Sequence, residues 1–235
     1  MKKSLFNPAP AALLFSAVVF LFSCASSHKD SAGQWRTLFD GKTLSGWHSF
    51  KKTTPPDKGW VVEDGTLHHL PGGGGGDLIS DGEFLNFQLE WDWKVPKGAN
   101  SGLKYLVSET REGGPLGHEY QLIDDENHAD AKRGEKWQTA AFYDVIPAHG
   151  RKVNPVGQWN HSGVVIKGNH VEHWLNGVNV LEYELGSKEV MDAVAKSKFK
   201  GVKEFGTHFA AHFLLQDHHD EIWFKNIRVK EFKGQ

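Results

Sequence analysis

The sequence predicts an all-β fold, an antiparallel sandwich or jelly roll that includes one short helix. From Trp35 onward, short alternating or β-rich runs are separated by Gly, Pro, Asn and Asp turns. Many short strands separated by only a few residues are typical of a sandwich of two packed sheets. The sequence contains no repeat of the length found in solenoids or propellers. We therefore expect one domain over residues 35–235 with a single core.

The individual strands are predicted from period-two alternation. The run Phe84 to Val95 carries aromatic and aliphatic residues at every second position and polar residues between them, which indicates a half-buried strand. Trp60-Val61-Val62 and Thr66-Leu67-His68 flank the turn Glu63-Asp64-Gly65 and predict a hairpin. Strands are also expected over 102–108, 118–124, 162–167, 171–175, 178–183, 212–216 and 222–229. Core packing is expected for Trp91, Trp93 and Trp174.

One helix is expected from Lys188 to about Lys198. Ser187 can cap its free amides, and Val190, Met191, Val194 and Ala195 form an apolar stripe.

The N-terminal residues predict export and a lipid anchor. Lys2 and Lys3 precede an apolar stretch that ends in Leu21-Phe22-Ser23-Cys24, which resembles a bacterial lipobox. We expect a signal peptide over 1–23, lipidation of Cys24, a polar tether over 24–34, and a cell-envelope location, with outer-membrane attachment favoured. Cys24 is the only cysteine, so the domain has to fold without a disulfide.

Charge and motif content exclude several functional classes. The 235 residues have a formal net charge of −2 and no basic cluster, so nucleic acid is not expected as a partner. There is no Gly-x-Ser-x-Gly elbow, and His118-Glu119 does not continue as a zinc-protease motif. The 14 histidines include several that could bind a divalent metal, but their spacing defines no ligand set.

Polar residues on strands are the remaining candidates for chemistry. Alternation places Glu119 with Gln121 on one face of their strand, and His212 with Gln216 and His218 on one face of another. Spacing alone leaves two interpretations open, a solvated sheet face and a binding site.

Several motifs, taken in order, resemble the 3-keto-disaccharide hydrolase domain family over essentially the whole mature chain. They are Thr37 to Trp47, Asn100-Ser101-Gly102, Glu119-Tyr120-Gln121, Phe142-Tyr143-Asp144, Gly157 to Asn160, Val171 to Gly177, Gln216-Asp217-His218 and Phe224 to Ile227. Two departures, Ala211 before His212 and His219 after His218, occur at one corner and bear on substrate choice.

The resemblance implies a concanavalin A-like jelly roll whose concave sheet binds saccharide, and an enzyme that cleaves 3-keto-glycosides by elimination and hydration. It implies Glu119, His173 and His218 as catalytic residues and Gln121, Asp124, His128, Tyr143 and Gln216 as substrate-binding residues. A divalent metal is compatible with this chemistry, with no ligands assigned. The alternatives are a non-catalytic lectin-like lipoprotein and a structural envelope protein, because this fold hosts binding proteins as readily as enzymes.

Overall fold

The structure, a computed structural model, describes Met1 and residues 33–110 and 114–232. The strands are β1 (Arg36–Thr37), β2 (Trp47–His48), β3 (Trp60–Glu63), β4 (Thr66–His69), β5 (Leu78–Ser80), β6 (Phe87–Lys94), β7 (Asn100–Ser108), β8 (Leu116–Ile123), β9 (Asn160–Lys167), β10 (His170–Leu175), β11 (Val178–Glu184), β12 (His212–Leu215) and β13 (Ile222–Glu231). One α-helix, α1 (Lys188–Val194), and two 3-10 turns, Ala131–Arg133 and Glu135–Trp137, complete the described elements.

The strands form two antiparallel sheets that enclose one main core. The eight-stranded sheet has the order β11-β10-β9-β6-β13-β4-β3, with β1 beside β13, and the five-stranded sheet has the order β2-β5-β12-β7-β8. The expected all-β jelly-roll fold is confirmed. The expected signal peptide and the Cys24 anchor lie outside the described residues.

Local sequence accounts for the hairpins and for the core. In β6 the residues Phe87, Leu89, Trp91 and Trp93 are fully buried while their neighbours are only half-buried, as alternation predicts. Each such side chain stabilises the fold by about 1.5–3 kcal/mol. The hairpins β3–β4 and β10–β11 turn on Asp64-Gly65 and Asn176-Gly177, where all four residues have positive φ, as a two-residue turn requires.

Strand β10 reverses two expectations. His173 lies in the core between the sheets, where its Nδ1 donates to Ala140 O (2.7 Å) and its Nε2 accepts from Tyr105 Oη (2.8 Å). Trp174, expected in the core, is 37% exposed on the outer face, and its Nε1 donates to Glu172. His173 is in phase with Val171 and Leu175, so the strand's alternation carries the imidazole inward and the indole outward.

The helix is shorter than expected. Ser187 caps it by accepting a hydrogen bond from Val190 N (3.2 Å), and it ends at Val194. Ser197 Oγ donates to Val194 O (2.8 Å), and the Lys198 amide turns away to bind Asp144 Oδ2 (2.7 Å). The chain therefore leaves the helix before residue 198. Within residues 33–110 and 114–232, no helix has the length and apolar character needed to span a membrane.

Candidate active site

The outer face of the five-stranded sheet carries the strongest candidate site. Lys104 of β7 pairs directly with Glu119 of β8, and Gly102 pairs with Gln121. Leu103 and the other inward-facing residues of both strands are buried in the core, so Lys104, Glu119 and Gln121 share the outer face. We call the set Lys104, Glu119, Gln121, Tyr143 and Lys198 the Glu119 site.

Gly102 leaves the space in which the Glu119 carboxyl group lies. A Cβ atom at residue 102 would lie 2.7 Å from Glu119 Oε1 and 2.9 Å from its Cγ, so any side chain there would force the Glu119 side chain to move. With its amide oriented to satisfy both groups, Gln121 Nε2 donates to Glu119 Oε1 (3.0 Å) and to Ser101 O (2.8 Å). The carboxyl group is therefore held in one position over the sheet.

Glu119 is buried, with only 5% of its surface exposed. Burial raises the pKa of this carboxyl group, Lys104 and Lys198 oppose the rise, and Asp77 and Asp130 add to it. A buried carboxyl group with a raised pKa beside cationic side chains is an arrangement typical of proton-transfer sites.

The two lysines are not neutralised by partners. Among the described residues, no carboxylate oxygen lies within the 4.0 Å ion-pair distance of Lys104 or Lys198, and Glu119 has no ion-pair partner either. The three charges therefore influence one another through space, as the effects of Lys104 and Lys198 on the pKa of Glu119 indicate.

The wall of the site is the segment that follows β8. Tyr143 N donates to Glu119 O (3.0 Å), and Ala140 N donates to Gln121 O (2.9 Å), so this segment is bonded along the edge of β8. Tyr143 Oη donates to Asp130 Oδ2 (2.5 Å), and burial raises the pKa of this phenol. The expected substrate-binding residue Tyr143 therefore lies directly beside Glu119.

The corner after β12 borders the same sheet face. Gln216 N donates to Gly102 O (3.0 Å), and Ser101 Oγ donates to Gln216 O (2.9 Å). The Gln216 side-chain oxygen is buried and has no hydrogen-bond partner within the described part of the chain. A buried acceptor without a partner is unusual in proteins and marks a candidate position for a bound water or ligand hydroxyl.

Asp217 and His218 do not continue strand β12. The strand ends at Leu215, and Asp217 Oδ2 accepts from Gly74 N (3.0 Å) and Gly76 N (2.9 Å), which ties the glycine-rich loop to this corner. His218 is exposed beyond the strand end, so the expected alternation of His218 with Gln216 is wrong. Its ring centroid lies 6.5 Å from that of His128.

Asp124 supports the loop that carries His128. Its oxygens accept from Gly98 N (2.7 Å), Glu126 N (3.0 Å) and Asn127 Nδ2 (2.8 Å). These hydrogen bonds outweigh its burial and lower the pKa of Asp124. The carboxylate therefore shapes the loop, and a direct contact between Asp124 and substrate would compete with these bonds.

His173 does not line the outer face, and the expectation that it does is wrong. Burial lowers the pKa of its imidazole to about 4, and the ring joins the two sheets through Tyr105. Sequence reasoning also missed two residues of the Glu119 site. Lys104 could have been found, because it alternates with Gly102 on the outer face of β7, whereas no local signal marks Lys198.

A metal-compatible group lies elsewhere. Within the described residues, His170, Glu172 and Glu182 have ligand atoms within 4.8 Å of one another, on strands β10 and β11 of the other sheet. Glu172 and Glu182 are direct cross-strand partners, and His170 Nδ1 is bonded to Glu184 (2.7 Å). This group belongs to the eight-stranded sheet and contributes nothing to the Glu119 site.

Comparison with known proteins identifies the relatives of this chain. The family model of the 3-keto-alpha-glucoside-1,2-lyase-like domain matches residues 34–230. A 3-keto-disaccharide hydrolase of Bacteroides thetaiotaomicron is 39% identical over 224 residues, which cover 83% of this chain and 77% of the relative.

Solved structures agree with the fold. A candidate glycosyl hydrolase of Parabacteroides distasonis has a TM-score of 0.76 and 33% identity, covering 86% of this chain and 94% of its own. A Bacillus subtilis protein of unknown function with a galectin-like fold has a TM-score of 0.52 at 11% identity, covering 85% of this chain and 96% of its own. The second similarity concerns the fold alone.

Proposed function

The chain belongs to the 3-keto-alpha-glucoside-1,2-lyase-like domain family, and on this premise we propose that it cleaves 3-keto-glycosides by elimination and hydration at the Glu119 site. The relatives named as a 3-keto-disaccharide hydrolase and a candidate glycosyl hydrolase support a hydrolase that acts on glycosides. The observation that carries the finer proposal is the buried Glu119 carboxyl group with a raised pKa, facing two lysines that have no ion-pair partner within the described residues.

The chemistry of a 3-keto sugar explains why such a site suffices. The ketone at C3 acidifies the hydrogen on C2, so one base can remove it and form an enolate. When the C3 carbonyl re-forms, the electron pair moves to the C1–C2 bond and the C1–O bond to the leaving group breaks. The departing oxygen takes a proton, and water then adds across the new double bond. This route needs one proton-transfer group and a stabilised oxyanion rather than a pair of carboxylates at a fixed separation.

Glu119 is the base in this proposal. Burial raises its pKa, which makes the carboxylate a stronger base toward the C2 hydrogen, and the proton it accepts exchanges with solvent before C2 is protonated again. Gln121 holds the carboxyl group in place, and Gly102 leaves the space that the carboxyl group occupies. Gln216, His128 and His218 border this face as candidate contacts for sugar hydroxyls.

The test compares 3-keto-glucosides with their unoxidised parent glucosides in heavy water. Turnover should require the keto group and should place deuterium at C2 of the product. Glu119→Gln should lower turnover by about 10²–10⁴-fold, and Glu189→Gln on the exposed start of α1 serves as the matched control. Product with its original C2 hydrogen, or hydrolysis of the unoxidised parent, would point to direct glycoside displacement. Tight glycan binding without any turnover would favour the lectin-like alternative.

We also propose that the protein is held at the cell envelope through lipidated Cys24, with outer-membrane attachment. The support is the leader and the lipobox-like sequence alone. In this arrangement the saccharide is met outside the cytoplasm.

A further inference from the structure

We infer that Lys198 is the cation that stabilises the negative charge on the C3 oxygen during elimination, and that Asp144 is the positioning residue that fixes Lys198. The inference rests on the proposed function and assigns its oxyanion partner.

Lys198 reaches the site from a segment remote in sequence from β8. The backbone is held on both sides of it, because Ser197 Oγ donates to Val194 O (2.8 Å) and accepts from Phe199 N (3.1 Å). The Lys198 residue itself is exposed, and its Nζ lies 4.2 Å from the centroid of the Tyr143 ring. Since Tyr143 N donates to the backbone carbonyl of Glu119, the ammonium group lies against a residue that is bonded to the Glu119 backbone.

The charges around Lys198 favour a ligand between it and Glu119. Partial burial lowers the pKa of Lys198, Glu119 opposes this, and Lys104 adds to the lowering. The ammonium and the Glu119 carboxylate therefore interact, yet within the described ranges they do not form an ion pair of 4.0 Å or less. An enolate places its reacting C2 and its charged C3 oxygen on neighbouring atoms, which suits a base and a cation that are close but separate.

Lys198 fits the oxyanion role better than Lys104. Lys104 lies on the sheet directly opposite Glu119, where it also interacts with the partly buried Asp77. Lys198 is the more accessible of the two, and its ammonium group lies over the Tyr143 ring. It can therefore bind the developing negative charge on the substrate without giving up an interaction with a buried carboxylate such as Asp77.

Asp144 holds the Lys198 segment in place. Its Oδ2 accepts from Lys198 N (2.7 Å), and its Oδ1 lies 2.8 Å from Lys136 Nζ. Asp144 is 4% exposed and has a φ of 61°, a conformation that non-glycine residues adopt at a cost and retain where the surroundings demand it. Because Asp144 is buried, we assign it a positioning role, exerted through the backbone amide of Lys198.

The elimination step balances with these groups. The C2 proton passes to the Glu119 carboxylate, and its electron pair forms the C2–C3 double bond, leaving the negative charge on the C3 oxygen beside the Lys198 ammonium. When the C3 carbonyl re-forms, the pair moves to C1–C2, the C1–O bond breaks, and the departing oxygen takes a proton from solvent water. Glu119 releases its proton to solvent, and a second water then adds across C1–C2, its oxygen to C1 and a solvent proton to C2. Lys198 remains protonated throughout and donates hydrogen bonds.

The test measures kcat, KM and their pH profiles on a 3-keto-glucoside. The variants are Lys198→Met, Lys198→Arg, Asp144→Asn and the double variant Lys198→Met/Asp144→Asn. Lys200→Met in the same segment is the matched control. Lys198→Met should lower kcat about 10²–10³-fold with little change in KM, and arginine should restore part of it. Loss of the cation should also move the acid limb of the kcat/KM profile to higher pH, because Lys198 lowers the pKa of Glu119.

Asp144→Asn should lower kcat and move the acid limb to higher pH, as Lys198→Met does, but by smaller amounts. The double variant should have nearly the same kcat as Lys198→Met alone. Wild-type kcat in Lys198→Met, an unmoved acid limb, or full additivity of the two changes would overturn the inference. Borohydride trapping of substrate on Lys198 would overturn it too, since a covalent imine would then replace the hydrogen-bonding ammonium. The proposed function is tested separately. If the wild type places deuterium at C2 and Glu119→Gln loses this turnover, the proposed function stands even where the inference about Lys198 fails.

Discussion

Replacing Glu119 with glutamine should stabilise the protein at neutral pH while lowering turnover by about 10²–10⁴-fold. The folded-state pKa of this carboxyl group is raised above its ordinary value of 4.5, mainly by burial. The folded protein therefore binds the proton more tightly than the unfolded chain does. Stability falls as pH rises from about 4.5 through the folded-state pKa, and the full penalty applies above it.

The size of the effect follows from how much more tightly the folded protein binds that proton. Each tenfold difference in proton affinity between the folded and unfolded states corresponds to about 1.4 kcal/mol of lost stability above the folded-state pKa. For a domain of this length, 1 kcal/mol moves the melting temperature by about 2–4 °C. Glutamine has nearly the same shape, and its oxygen can still accept from Gln121 Nε2. We therefore expect the melting temperature to rise by roughly 3–6 °C for each such tenfold difference that the substitution removes.

Thermal denaturation of the wild type, Glu119→Gln and the exposed control Glu189→Gln at several pH values checks this. The gain in Glu119→Gln should be largest at neutral pH and should disappear near pH 4, where the carboxyl group is protonated in both states. A variant that melts below the wild type at neutral pH, or a difference that does not change with pH, would refute the argument that Glu119 is a buried charge kept for function.

Three further outcomes are expected. His173→Ala should lower the free energy of unfolding by about 2–4 kcal/mol, because it leaves a cavity, removes the donor to Ala140 O, and leaves Tyr105 Oη with Tyr183 Oη as its remaining partner; urea denaturation measures this, and wild-type stability with lost activity would show that His173 is a site residue. His218→Ala should lower kcat/KM about tenfold or more through loss of an imidazole hydrogen bond; unchanged kinetics on a 3-keto-glucoside would remove His218 from the site. Cys24→Ala should release the protein from the membrane fraction of expressing cells, whereas unchanged partitioning would exclude the lipid anchor.

Predictions from sequence succeed where a local rule acts on a few neighbouring residues. Alternation gives β6 its buried face, the Asp64-Gly65 and Asn176-Gly177 pairs form the hairpin turns, and Ser187 caps the helix. These features depend on side-chain direction, positive φ and one hydrogen bond, all of which are properties of short segments.

Residue type alone misplaces two neighbours on β10. Imidazoles catalyse, which favours His173 as a site residue, and indoles are apolar, which favours Trp174 as a core residue. The alternation of β10 instead buries His173 and exposes Trp174. Val171 and Leu175 lie on the same side of the strand as His173, and these apolar residues are buried. Two hydrogen bonds satisfy the imidazole inside the core, and Glu172 satisfies the indole outside it.

The sequence by itself determined the all-β class, the turn positions and the common face of Glu119 and Gln121, because each follows from the conformation of a short run of chain. Only the tertiary structure decided that Gly102 makes room for Glu119, that Asp144 binds the amide of Lys198, and that Lys104 and Lys198 both act to lower the pKa of the same buried carboxyl group. Residues 102, 119, 144 and 198 lie on separate segments, and the electrostatics of Glu119 depend on burial and on distances between those segments. Such quantities exist only after the sheets have paired and the segment after α1 has closed over them.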